Sequence, residues 1–111
     1  MFESDLVRVR HMLDAVREAV DIGAGRTRDD LIHNRVLAPA LMRCIEIVGE
    51  AAARIGSEMR DQHPKVPWAD IVGMRHRLIH AYYEVDLGRV ADTLEMDLPP
   101  LIVEPERILA A

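Results

Sequence analysis

Behind Ser4, a residue able to cap a helix, Leu6, Val9, Leu13, Val16 and Val20 recur at spacings of three and four, which predicts an amphipathic helix with a narrow apolar seam. Gly23 and Gly25 end it. In the connector that follows, Thr27 or Asp29 can cap a short helical turn before Pro39, a residue tolerated only in the first turn of a straight helix. The second main helix is therefore expected from near Pro39 to near Gly56. It carries two seams: Leu41, Ile45, Val48, Ala52 and Ile55 form one, and Ala40, Cys44, Ile47 and Ala51 form the other. Two neighbours can pack on such a helix, which places it at the centre of a bundle.

Between the seams runs a polar line, Arg43, Glu46, Glu50 and Arg54. Gly49 interrupts good helix formers, where a glycine costs about 1 kcal/mol relative to alanine, so it marks a candidate close approach between helices. Pro64 and Pro67 delimit a loop, and Pro67 with Trp68 starts a third helix expected to reach about Tyr82. Asp86 can cap a fourth with Leu87, Val90, Leu94, Leu98 and Leu101 as its seam; Pro99 and Pro100 then kink or restart it ahead of a segment carrying Ile102 and Ile108. No strand-length alternation and no internal repeat occur. The reading is all-α: one domain over 1–111, an up-and-down four-helix bundle with short extra helical segments.

Half of the 111 residues are apolar, enough for a single folded core. A net charge of -5 disfavours indiscriminate coating of nucleic acid and leaves room for a local basic site. Cys44 is the only cysteine, the start "MFESDLVRVR" does not resemble a signal peptide, and no apolar run could span a bilayer, so a cytoplasmic protein with no membrane association is expected.

The stretch "GMRHRLIHAYYEVD", residues 73–86, concentrates the candidate chemistry. On a wheel turning ~100° per residue, Trp68, Ile71, Val72, Leu78, Ile79 and Tyr82 lie within about 60° of Arg75. A guanidinium amid that face must pair with a carboxylate such as Glu46 or Glu50, snorkel to an edge, or line a cleft that binds an anion. His80 falls about 140° from Arg75, so one straight helix cannot bring the two together. Either the helix loosens near His80, or two copies of it meet in a symmetric homodimer. His76 and His80 have the spacing of a helical metal pair but no third ligand, so no metal and no cofactor is expected. Arg77 points away from Arg75 and Tyr83 reads as a residue closing the core.

Arg75, His80 and Tyr82 resemble the Arg-x4-6-His-x-Tyr motif of the HepT toxins, a branch of the HEPN superfamily. The segments "CIEIVGEAAARI", "VPWADIVGMRHRLIH" and "EVDLGRVADTLEMDLPPL" resemble that family's successive helices in order. His76 stands where the family often has asparagine. The resemblance implies a HEPN-like dimeric bundle and the toxin half of a toxin–antitoxin pair. Its activity would be that of a metal-independent endoribonuclease, with Arg75 and His80 in a composite site at the homodimer interface. It also implies a MntA-type nucleotidyltransferase antitoxin that AMPylates Tyr82. Tyr83, His76, Arg77, Glu46 and Glu50 are then candidates to line the site. A different class remains open: a non-catalytic helical subunit that presents substrate to a nucleotidyltransferase, a reading that suits a chain with few basic residues outside 75–83.

Overall fold

The computed structural model describes residues 3–80, 92 and 96–110, and of Glu3, Ile32 and residues 77–80 the backbone alone. Among them run the helices α1 (Glu3–Gly23), α2 (Arg28–His33), α3 (Leu37–Arg54), α4 (Ser57–Gln62), α5 (Trp68–His80) and α6 (Pro100–Ala110), and Asp92, Met96 and Asp97 are helical as well. The fold is all-α, and no strand occurs among the described residues. Most of the helix expected to follow Asp86, with Leu87, Val90 and Leu94, lies outside them, as do Tyr82 and Tyr83.

Helix α3 is the centre, packed against α1 on one side and α5 on the other, with α2 touching it more lightly. Both of its seams are used: Leu41, Ile45, Val48 and Ala52 are fully buried, and Cys44 and Ala51 nearly so. Each fully buried aliphatic of this size contributes about 1.5–3 kcal/mol, so α3 supplies much of the driving force for folding. The buried face of α1 is broader than its expected seam, because Met12, Ala15 and Ala19 join Val9, Leu13 and Val16. That breadth lets α1 contact α6 as well as α3.

Local chemistry sets the helix boundaries. Thr27, not Asp29, caps α2: its hydroxyl accepts the Asp30 amide while the Asp30 carboxylate accepts the Thr27 amide, a reciprocal box. These bonds hold the Asp30 carboxyl below the usual carboxylate range. Helix α3 begins two residues ahead of Pro39, which keeps the proline in the first turn, where its missing amide has no intrahelical role. The Asn34 side chain accepts the amides of Val36 and Leu37 at 2.9 and 3.0 Å, satisfying two donors that a helix start leaves open.

The far end of α3 is clamped by side chains from elsewhere. Arg60 donates to the carbonyls of Ala52 and Ile55 at 2.7 and 3.0 Å, and Arg8 donates to the Arg54 carbonyl at 2.8 Å. Asp5, buried at 5% exposure, accepts the Gly56 amide at 3.2 Å. Cationic donors on the terminal carbonyls also oppose the negative end of the helix dipole. The turn after α3 is thereby fixed, and α5 enters from Trp68, whose indole donates to the His63 carbonyl at 3.0 Å. Pro100 restarts the chain as α6, where Leu101 and Ile108 face inward and Pro105 is fully buried inside the helix.

Candidate functional site

Arg75 lies on α5 where that helix crosses α3. A Cβ placed on Gly49 would fall 2.3 Å from the Arg75 Cβ and 2.9 Å from its Cδ. The absent side chain is therefore the recess that receives the aliphatic stem of the arginine. Among the described side chains of α5, Trp68, Ile71 and Met74 are buried, while Val72 and Arg75 are half-buried. On the helix wheel Arg75 falls between Trp68 and Ile71, and its side chain is nonetheless 31% exposed. The stem packs on α3 and the charged head reaches solvent, the behaviour expected of a long cationic side chain that snorkels from an apolar face.

The head is only loosely held. Nη2 of Arg75 stands 3.6 Å from Oε1 of Glu50, beyond hydrogen-bond reach, with the two side chains 31% and 44% exposed. Glu46, the other candidate partner, is turned to Arg43 at 3.2 Å. Nε of Arg75 is buried and has no hydrogen-bond partner among the described residues. A wet, long ion pair of this kind contributes about 0–1 kcal/mol, so it does not account for an arginine at this position. The half-exposed part of the guanidinium, with Glu50 beyond hydrogen-bond reach, can bind an anion.

His76 is exposed on the next position of α5. The helix includes His80 and Arg77, whose side chains are outside the described residues, as are Tyr82 and Tyr83 altogether. Among the described residues no three His, Cys, Asp or Glu side chains gather as a metal site. No described helix is long and apolar enough to cross a membrane.

Glu50 also forms part of the wall of a groove of about 420 Å³ between α1 and α3. Arg8, His11 and Arg54 line the same groove. Sequence reasoning did not single out this set; Arg8 and His11 lie one turn apart on α1, but Arg54 is over forty positions further along the chain, and only the packing of α1 on α3 brings it to them. His11 has no partner at informative spacing and Arg54 reads as part of the polar line of α3, so local pattern could not pair them.

Residues 12–108 match the family model described as ribonuclease HepT-like. The chain is 34% identical over 101 residues to an RNase candidate of Caldanaerobacter subterraneus subsp. tengcongensis, covering 91% of this chain and 90% of that protein. It is 33% identical over 93 residues to a Thermococcus cleftensis protein described as a probable ribonuclease HepT, covering 80% of this chain and 84% of the other. An RNase candidate of Methanocaldococcus jannaschii is 30% identical over 98 residues, covering 88% and 81% respectively. No solved structure matches.

Proposed function

The chain belongs to the ribonuclease HepT-like family, and on that premise we propose that it is a metal-independent endoribonuclease acting as the toxin of a toxin–antitoxin pair. The observation that carries this reading is the state of Arg75: stem seated in the Gly49 recess, head half-exposed, and Glu50 beyond hydrogen-bond reach of it. A guanidinium so placed matches the two non-bridging oxygens of a phosphodiester.

In the proposed reaction the ribose 2′-OH attacks the adjacent phosphorus and the 5′-oxygen leaves, giving a 2′,3′-cyclic phosphate and a 5′-OH end. The imidazole of His80 takes or delivers a proton, a role worth ~10²–10⁴-fold near neutral pH. Arg75 offsets the charge that grows on the phosphoryl oxygens. Because five residues turn a helix by about 140°, the Arg75 of one protomer and the His80 of its partner are brought to one phosphate across a homodimer axis.

Control is proposed at Tyr82 by a nucleotidyltransferase antitoxin of the MntA type. Its hydroxyl attacks the α-phosphorus of ATP, pyrophosphate leaves, and an anionic adenylate is fixed on the tyrosine oxygen. That adenylate competes with RNA phosphate for Arg75 and fills the cleft.

The test is His80→Ala. Loss of RNA cleavage with helicity and dimer intact supports the reading, and loss of folding would assign His80 a structural role. Intact-mass measurement after coexpression with the nucleotidyltransferase should show added mass in units of AMP on wild type and none on Tyr82→Phe. A wild-type protein that cuts no RNA yet forms a stoichiometric complex with that enzyme would support a non-catalytic subunit instead.

A further inference from the structure

Two hollows of similar size open on the described surface, and their charges differ. One, about 430 Å³, lies where α5 meets the start of α6; Asp70, Asp97 and Glu104 line it against a single cation, Lys65. Phosphate is repelled there. The other, the groove of about 420 Å³ between α1 and α3, has Arg8, His11 and Arg54 against a single acid, Glu50. In a chain of net charge -5 that local excess is against the trend of the molecule.

Three features make the second groove more than a scatter of surface charges. Arg8 is held in place, because its Nη1 donates to the Arg54 carbonyl at 2.8 Å and stands 3.7 Å from Asp5. Arg54 is exposed in the last turn of α3 and makes no ion pair among the described residues. Glu50 belongs both to this groove and to the long pair with Arg75 at 3.6 Å, so the groove opens directly beside the candidate catalytic cation. One helical turn of α3, about 6 Å, separates Glu50 from Arg54. Val7 and Ile47 add apolar surface on which ribose and base faces can rest.

We propose that this α1–α3 groove is a docking track for the backbone of single-stranded RNA, with Arg54 and His11 binding phosphates that flank the one gripped by Arg75. The inference rests on the ribonuclease reading and deepens it: the enzyme takes a strand several nucleotides long, not an isolated dinucleotide. The track supplies the phosphate contacts that the rest of an acidic chain lacks.

The experiment measures binding of a fluorescent 2′-O-methyl oligouridylate, which lacks the attacking hydroxyl, by anisotropy across a salt series. Arg54→Gln keeps the backbone carbonyl that Arg8 uses and removes one phosphate contact. The slope of log K against log salt should become shallower by about 0.7, equivalent to about a fivefold change in affinity between 1 M and 0.1 M salt. His11→Gln is a second variant, expected to weaken binding in the same direction. Arg107→Gln, the same charge change on α6 where Arg107 pairs with Glu104, should leave the slope as in wild type. An Arg54→Gln slope equal to that of Arg107→Gln overturns the track. So does an unchanged slope with a shifted monomer–dimer balance in sedimentation, which would make the groove a contact between copies of the chain. If wild type cuts no RNA but its binding depends on Arg54, the ribonuclease reading fails and the track stands.

Discussion

Gly49 and Arg75 occupy one space: the Cβ that the glycine lacks would lie 2.3 Å from the Cβ of the arginine. Gly49→Ala improves intrinsic helix propensity by about 0.5–1 kcal/mol and still destabilises the protein, because α3 and α5 must move apart, an overpacking penalty of about 1–3 kcal/mol. Urea unfolding of the variant measures the balance. Arg75→Ala should not rescue it, since alanine retains the clashing Cβ.

Glu50→Gln distinguishes a tether from a structural ion pair. At 3.6 Å and about half exposure, the Arg75–Glu50 pair should change stability by less than about 1 kcal/mol when neutralised. A loss of about 3–5 kcal/mol in urea unfolding would instead mark a buried pair whose arginine is there for the fold.

Arg60→Ala removes two charge-assisted bonds to the carbonyls of Ala52 and Ile55 and should lower stability by about 1.5–3 kcal/mol. Arg60→Lys recovers only part of this, because an ammonium lacks the planar fork that reaches both oxygens. Thermal unfolding of the pair of variants checks the order.

Cys44 is buried in the second seam of α3, and burial, with Glu18 nearby, pushes its thiol above the ordinary thiol range. The folded state therefore favours the neutral thiol. Its contribution to stability is complete below the unfolded thiol's pKa and is lost as pH rises through the raised folded value. Cys44→Ala should decline less steeply in stability at alkaline pH, and wild-type Cys44 should react with a thiol reagent far more slowly than a free cysteine does.

The parts of this fold legible in the sequence are those that repeat. The double seam of α3 placed it at the centre of the bundle, and a lone glycine in a run of helix formers marked a close helix approach, which the structure assigns to α5. Helix α4 escaped because Ser57–Gln62 has one buried residue, Met59, and six residues are too few to establish a period. Asp5, Arg8 and Arg60 escaped for another reason. They act on carbonyls and amides at the end of α3, and nothing in local spacing links Asp5 to Gly56 or Arg8 to Arg54. At the site, the wheel identified Arg75 as an anomaly and proposed Glu46 or Glu50 as its partner. The i,i+3 spacing of Arg43 and Glu46 already allowed the pair that takes Glu46; only packing could bring Arg75 to Glu50.

The most direct test of the central claim, that Arg75 is stationed to hold RNA phosphate and not to hold the fold, is single-turnover RNA cleavage in EDTA by wild type and Arg75→Gln. Wild type should leave 2′,3′-cyclic phosphate ends, and the variant should be slower by about 10²–10³-fold with its helicity unchanged. Cleavage by Arg75→Gln at the wild-type rate would contradict the account.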